Sequence, residues 1–104
     1  MTAAGYVVAP LAEADLEEAA AWIAADDPRA AERFLLATEK AFRMLAKRPA
    51  LGHRRPDLTP RDVRFWPVQR RFLVVYRGAA PLQVVRVLSA YRDVAAILSG
   101  PEDR

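Results

Sequence analysis

The feature that most constrains this chain is the alternation of three short apolar runs with turn residues between positions 63 and 89. Residues 63–68, 72–76 and 82–88 are rich in β-branched and aromatic side chains, which suit a pleated, half-buried surface. The breaks fall at Gln69-Arg70-Arg71 and Gly78-Ala79-Ala80-Pro81. Connections this short join antiparallel neighbours, because a parallel pair needs a crossover of a dozen or more residues. The expectation is a three-stranded meander.

A sheet with one wet face alternates strictly, yet the second run is apolar throughout and the third is interrupted only by Gln83 and Arg86. Both faces therefore require cover. Paired helices upstream supply one layer, and the tail beyond Arg92 is long enough for only a short helix over the other. The sequence reading leaves the remainder of that second face for a partner polypeptide, with a few exposed valines as the plainer alternative.

Upstream, Tyr6-Val7-Val8 is an apolar run stopped by Pro10, as expected for a first strand at a sheet edge. Residues 11–25 carry Leu16, Ala19, Ala20 and Ile23 at helical spacing, with Trp22 beside that stripe and expected in the core. Asp27 followed by Pro28 marks a new helix, since aspartate caps a helix and proline at its first position forfeits no hydrogen bond. Its stripe is Ala31, Phe34, Leu35, Thr38, Phe42 and Leu45, and Pro49 ends it. Residues 49–60 hold three prolines, Gly52, His53 and Arg54-Arg55 without an apolar period, so they form a loop. Arg92 and Asp93 open a short final helix carrying Val94, Ile97 and Leu98, with a frayed tail over 100–104. The fold class is α+β: an N-terminal edge strand, an α-helical hairpin, a three-stranded antiparallel meander and a short C-terminal helix in one domain, 1–104.

A chain of 104 residues can bury a core without staples, and it contains no cysteine for a disulfide or a thiolate metal site. Neither a cofactor nor a metal is implied. No apolar run approaches the roughly 20 residues that span a bilayer, so no membrane partner is expected and the cytoplasm is the default location. The net charge of +3 hides a division. Residues 1–27 carry six carboxylates and no Lys or Arg, a charge of −6, which leaves 16 basic residues against seven acidic ones, +9, in the rest. Such a field draws polyanions or acidic protein segments, although arginine also serves as a plain surface residue.

The Leu11-Ala-Glu-Ala-Asp-Leu16 opening, Ala31, Phe34, Phe42, Leu45, Ala46, Pro49 and Gly52 stand in a particular order. Arg55, Asp57, Leu58, Val63-Arg64, Val75-Tyr76-Arg77, Val85-Arg86-Val87-Leu88 and Arg92-Asp93 continue it. Together they resemble the ParE branch of the RelE/ParE superfamily of type II toxin–antitoxin toxins. The resemblance implies a toxin held inactive by a cognate antitoxin in a hetero-oligomer. ParE-like members are associated with poisoning DNA gyrase, and RelE-like members with cutting messenger RNA on the ribosome.

RNA cleavage through a 2′-hydroxyl needs proton-transfer groups and cations gathered at one phosphate. Candidates for the proton are His53, Tyr91 and Asp93; candidates for the charge are Arg64 and Arg92. The RelE branch presents an arginine where this chain has Leu73, so the expectation is a toxin that acts by binding and not as an enzyme. A nuclease acting through Arg64, Tyr91, Arg92 and His53 is the alternative, and a non-toxic binding module of the same fold is a third. Arg64, Arg86, Tyr91 and Arg92 are the expected target contacts, read as flanking one end of the strands, with Arg77 and Arg70-Arg71 as weaker candidates. Val84, Leu88 and Arg77 are the expected antitoxin contacts.

Overall fold

The computed structural model describes residues 2–3 and 5–100. The elements run β1 (Thr2–Ala3), β2 (Tyr6–Val8), α1 (Pro10–Asp26), α2 (Pro28–Lys47), a 3-10 turn (Pro49–Leu51), β3 (Arg64–Val68), β4 (Phe72–Arg77), β5 (Leu82–Ser89) and α3 (Val94–Leu98). The expected architecture is present, with strand and helix bounds shifted by a residue or two. The strands form one sheet in the order β1-β2-β5-β4-β3. β3, β4 and β5 are the antiparallel meander, and β2 joins β5 in parallel, pairing Tyr6 with Leu82 and Val8 with Val84. The two-residue β1 lies outside β2, a feature the sequence pattern did not announce. The expected frayed tail, apart from Gly100, lies outside the described residues.

The helical hairpin forms as its caps dictate. Asp27 accepts hydrogen bonds from the backbone N–H groups of Arg29 (3.0 Å) and Ala30 (3.2 Å), while Pro28 takes the first helical position. α2 buries Ala31, Phe34, Thr38, Ala41, Phe42 and Leu45 against the sheet. Leu35, expected in this stripe, lies on its margin and is exposed. Phe34 meets the Phe72 ring at 4.5 Å between centroids, and Tyr6 meets Phe42 edge-on at 5.4 Å. Val74, Tyr76, Leu82, Val84 and Val87 complete this core from the strands.

The other sheet face carries a second core of Val63, Phe65, Val75 and Leu88, closed by Val94 and Leu98 of α3 and flanked by Leu58 of the long loop. Val75 and Leu88 are inaccessible there. The chain's own loop and last helix thus do the covering that the sequence reading left to a partner. A bulge explains why the third run would not resolve into faces. Val75 pairs with Arg86 but Tyr76 pairs with Val84, so Val85 is an extra residue and the alternation flips across it. Val84 therefore faces the helices and Leu88 the opposite side.

The outer side of β3 is partly occupied. His53 exchanges backbone hydrogen bonds with Phe65, its N–H donating at 3.1 Å and its carbonyl accepting at 2.8 Å. Pro67 beside it has no N–H to offer.

Candidate functional site

Antiparallel pairing decides which arginines can act together. Arg64 opens β3 and lies opposite Tyr76 near the end of β4, whereas Phe72 at the start of β4 lies opposite Ser89 at the end of β5. Tyr91 and Arg92 follow Ser89. Four strand steps separate the two positions, about 13 Å. The expectation that Arg64 flanks the same strand end as Tyr91 and Arg92 is thus corrected: they stand at opposite ends of the sheet.

At the Arg64 end the chemistry is a closed network. Tyr76 is buried, and its hydroxyl donates to the Pro49 carbonyl at 2.6 Å while accepting from the Gly52 N–H at 2.7 Å. Arg64 Nη1 donates to the Gly52 carbonyl at 2.8 Å. Gly52 is required by space, since a Cβ there would stand 2.7 Å from Tyr76 Cε1 and 2.9 Å from the Phe65 carbonyl. Burial pushes the Tyr76 phenol above its ordinary pKa, opposed more weakly by the Gly52 hydrogen bond and the Arg64 charge. Nearby, Arg54 pairs with Asp62 at 2.6 Å and Arg77 Nε donates to Gln83 Oε1 at 2.9 Å. These groups line an open cleft of about 640 Å³ beside the 78–81 turn. His53 lies at this end as well, exposed and anchored by its backbone to β3.

Between the ends, Arg86 is committed to α1. Its Nε and Nη2 donate to Asp15 Oδ2 and Oδ1 at 2.8 and 2.9 Å, and Asp15 Oδ2 also accepts the Val87 N–H at 2.9 Å. The carboxylate stands where a neighbouring strand would continue beyond β2, so it satisfies the side of β5 as well as the guanidinium. Arg86, expected as a target contact, is held inside the fold.

The far end gathers exposed groups. Tyr91 is 80% and Trp22 71% exposed, and both line a cleft of about 380 Å³ with Arg71 and Arg92. Trp22 is a correction, because the border of the α1 stripe faces this cleft instead of the core. Its floor is Ala19, Phe72 and Val87. Arg71 and Trp22 also line a neighbouring cleft of about 540 Å³ that reaches Asp26 and Ala30. Among the described residues, the side chains of Arg71, Tyr91 and Arg92 take no intramolecular hydrogen bond or ion pair. Val84 and Leu88, expected as antitoxin contacts, are core residues on opposite faces and present no surface.

A family model described as "ParE toxin of type II toxin-antitoxin system, parDE" matches residues 6–94, from the first core strand to the start of α3. The chain belongs to the ParE toxin family. No curated protein matches it. Several residues that carried the resemblance now have a physical reason in this ParE chain. Asp15 and Arg86 clamp α1 to β5, and Gly52, Arg64 and Tyr76 lock the long loop to the sheet. Arg55 and Asp57 form a bidentate pair at 2.9 and 2.7 Å within the turn that delivers Leu58 to the second core. This partnership holds the exposed Asp57 carboxyl below its ordinary pKa. No group of His, Asp or Glu that could hold a metal ion occurs among the described residues, and no helix there is long and apolar enough to cross a membrane. The sequence pattern places Trp22 in the core, gives no sign of the Asp15 clamp and ranks Arg71 low. Only the adjacency of Arg71 to the strand ending at Ser89, legible once the meander is paired, could have promoted it.

Proposed function

We propose that this ParE toxin arrests its target, DNA gyrase, by binding to it, and that a cognate antitoxin in the cytoplasm keeps it inactive. Family membership supplies the toxin role and the antitoxin. The observation that carries binding over cleavage is the separation of the candidate chemistry. Arg64 and His53 lie at one end of the sheet and Tyr91 and Arg92 at the other, about 13 Å away along the strands, and the Arg64 guanidinium is turned to the Gly52 carbonyl, so the four do not gather at one phosphate. What remains suits adhesion: a firm end of a sheet bearing Tyr91 and Arg92 in exposed positions. Purified toxin should inhibit supercoiling by gyrase or trap cleaved DNA on it, and added antitoxin should reverse the effect. Full supercoiling at a large toxin excess would remove gyrase as the target.

A further inference from the structure

We infer that the cleft between Trp22 and Tyr91 seats a carboxylate-bearing segment of the toxin's protein target, with an apolar side chain of that segment inserted between the two rings. The inference rests on the binding reading above, which assigns Tyr91 and Arg92 to the target, and it adds Trp22 to them and raises Arg71 from a weaker candidate.

Three observations converge. Trp, Tyr and Arg are the side chains that dominate protein–protein contacts, and here four of them line one concave surface with an apolar floor. The cations on the sheet side, Arg70, Arg71 and Arg92, have no carboxylate partner among the described residues. They would complement acidic groups on an incoming chain. The turn that presents two of them is also held at a cost. Gln69 and Arg70 adopt φ of 52° and 60°, and the Arg71 N–H closes the turn on the Val68 carbonyl at 3.3 Å. This geometry favours Asn-Gly, and two larger side chains in the left-handed region are disfavoured there. The Ala90 N–H donates to the Arg71 carbonyl at 2.7 Å, so the strained turn is tied to the strand end that leads to Tyr91 and Arg92. Strain kept beside an unpartnered cationic cleft points to selection for contact rather than for stability.

A protein segment fits better than a nucleic acid. The α1 wall of the cleft carries Glu18, and Asp26 and Asp27 border the adjoining cleft. A continuous phosphate backbone would meet these charges. A peptide can place its carboxylates toward Arg71 and Arg92 alone.

The test compares the full chain with Trp22→Ala, Arg71→Glu and the double change Gln69→Asn/Arg70→Gly, using Lys40→Glu on the outer side of α2 as the charge control. Readouts are gyrase inhibition, growth arrest, melting temperature and affinity for the antitoxin and for a single-stranded oligonucleotide. Trp22→Ala and Arg71→Glu should lose inhibition at least about tenfold at unchanged melting temperature, with Lys40→Glu unaffected. The turn variant should melt higher and still lose inhibition. Wild-type inhibition by the Trp22 and Arg71 variants overturns the inference while leaving the gyrase reading in place. Growth arrest without gyrase inhibition removes gyrase yet keeps the inference if arrest disappears in the same variants. Retained arrest with lost antitoxin affinity, or oligonucleotide binding that Arg71→Glu abolishes, gives the cleft to another occupant and overturns it.

Discussion

Asp15 and Arg86, 71 positions apart in the chain, meet in a two-pronged ion pair whose carboxylate also accepts the N–H of Val87. Both side chains are mostly shielded, and one oxygen serves charge and backbone together. Replacing Asp15 by Ala takes the two-pronged carboxylate from a shielded guanidinium and the acceptor from the Val87 N–H. The expected loss is about 3 kcal/mol of unfolding free energy in urea titration. Asp15→Asn should fall between, since the amide keeps an acceptor but not the charge.

Tyr76→Phe strips the donor from the Pro49 carbonyl and the acceptor from the Gly52 N–H. A loss of about 1–3 kcal/mol in the same titration is expected, because the orphaned groups lie inside the fold. Gly52→Ala should be worse, since the added methyl has to displace the Tyr76 ring.

The same phenol sets an alkaline limit. Its folded pKa lies above the ordinary value of 10.0, so the folded state holds the proton more tightly than the unfolded chain. The contribution to stability is complete below pH 10 and is lost as pH rises toward the folded pKa. Melting temperatures measured upward from pH 9 should therefore drop above pH 10, and Tyr76→Phe should flatten that drop.

Asp27→Ala removes the acceptor for two N–H groups at the start of α2. About 1 kcal/mol of stability should go with it, visible as a lower denaturation midpoint at unchanged slope.

The fold was readable in the sequence where local chemistry and burial agree. Asp27-Pro28 starts α2 in the chain and in space, and the Gln69-Arg70-Arg71 break is the hairpin it resembled. Faces were less readable. The bulge at Val85 sits in a run that only Gln83 and Arg86 interrupt, so strict alternation puts Val84 and Leu88 on one face, which the fold separates. Charge was the hardest to read. Arg64 and Arg86 look as available in sequence as Arg92, and what distinguishes them is a carbonyl at Gly52 and a carboxylate at Asp15 from remote parts of the chain. Trp22 failed for a related reason. Aromatic character near a helical stripe reads as core until the neighbouring strand ends are placed.

The guarded flank of β3 bears on how two copies of this toxin can meet. With Phe65 already paired to His53 and Pro67 offering no N–H, two copies meeting along that flank find few free groups with which to zip into a shared sheet. This rim therefore offers a second copy little on which to build a shared sheet.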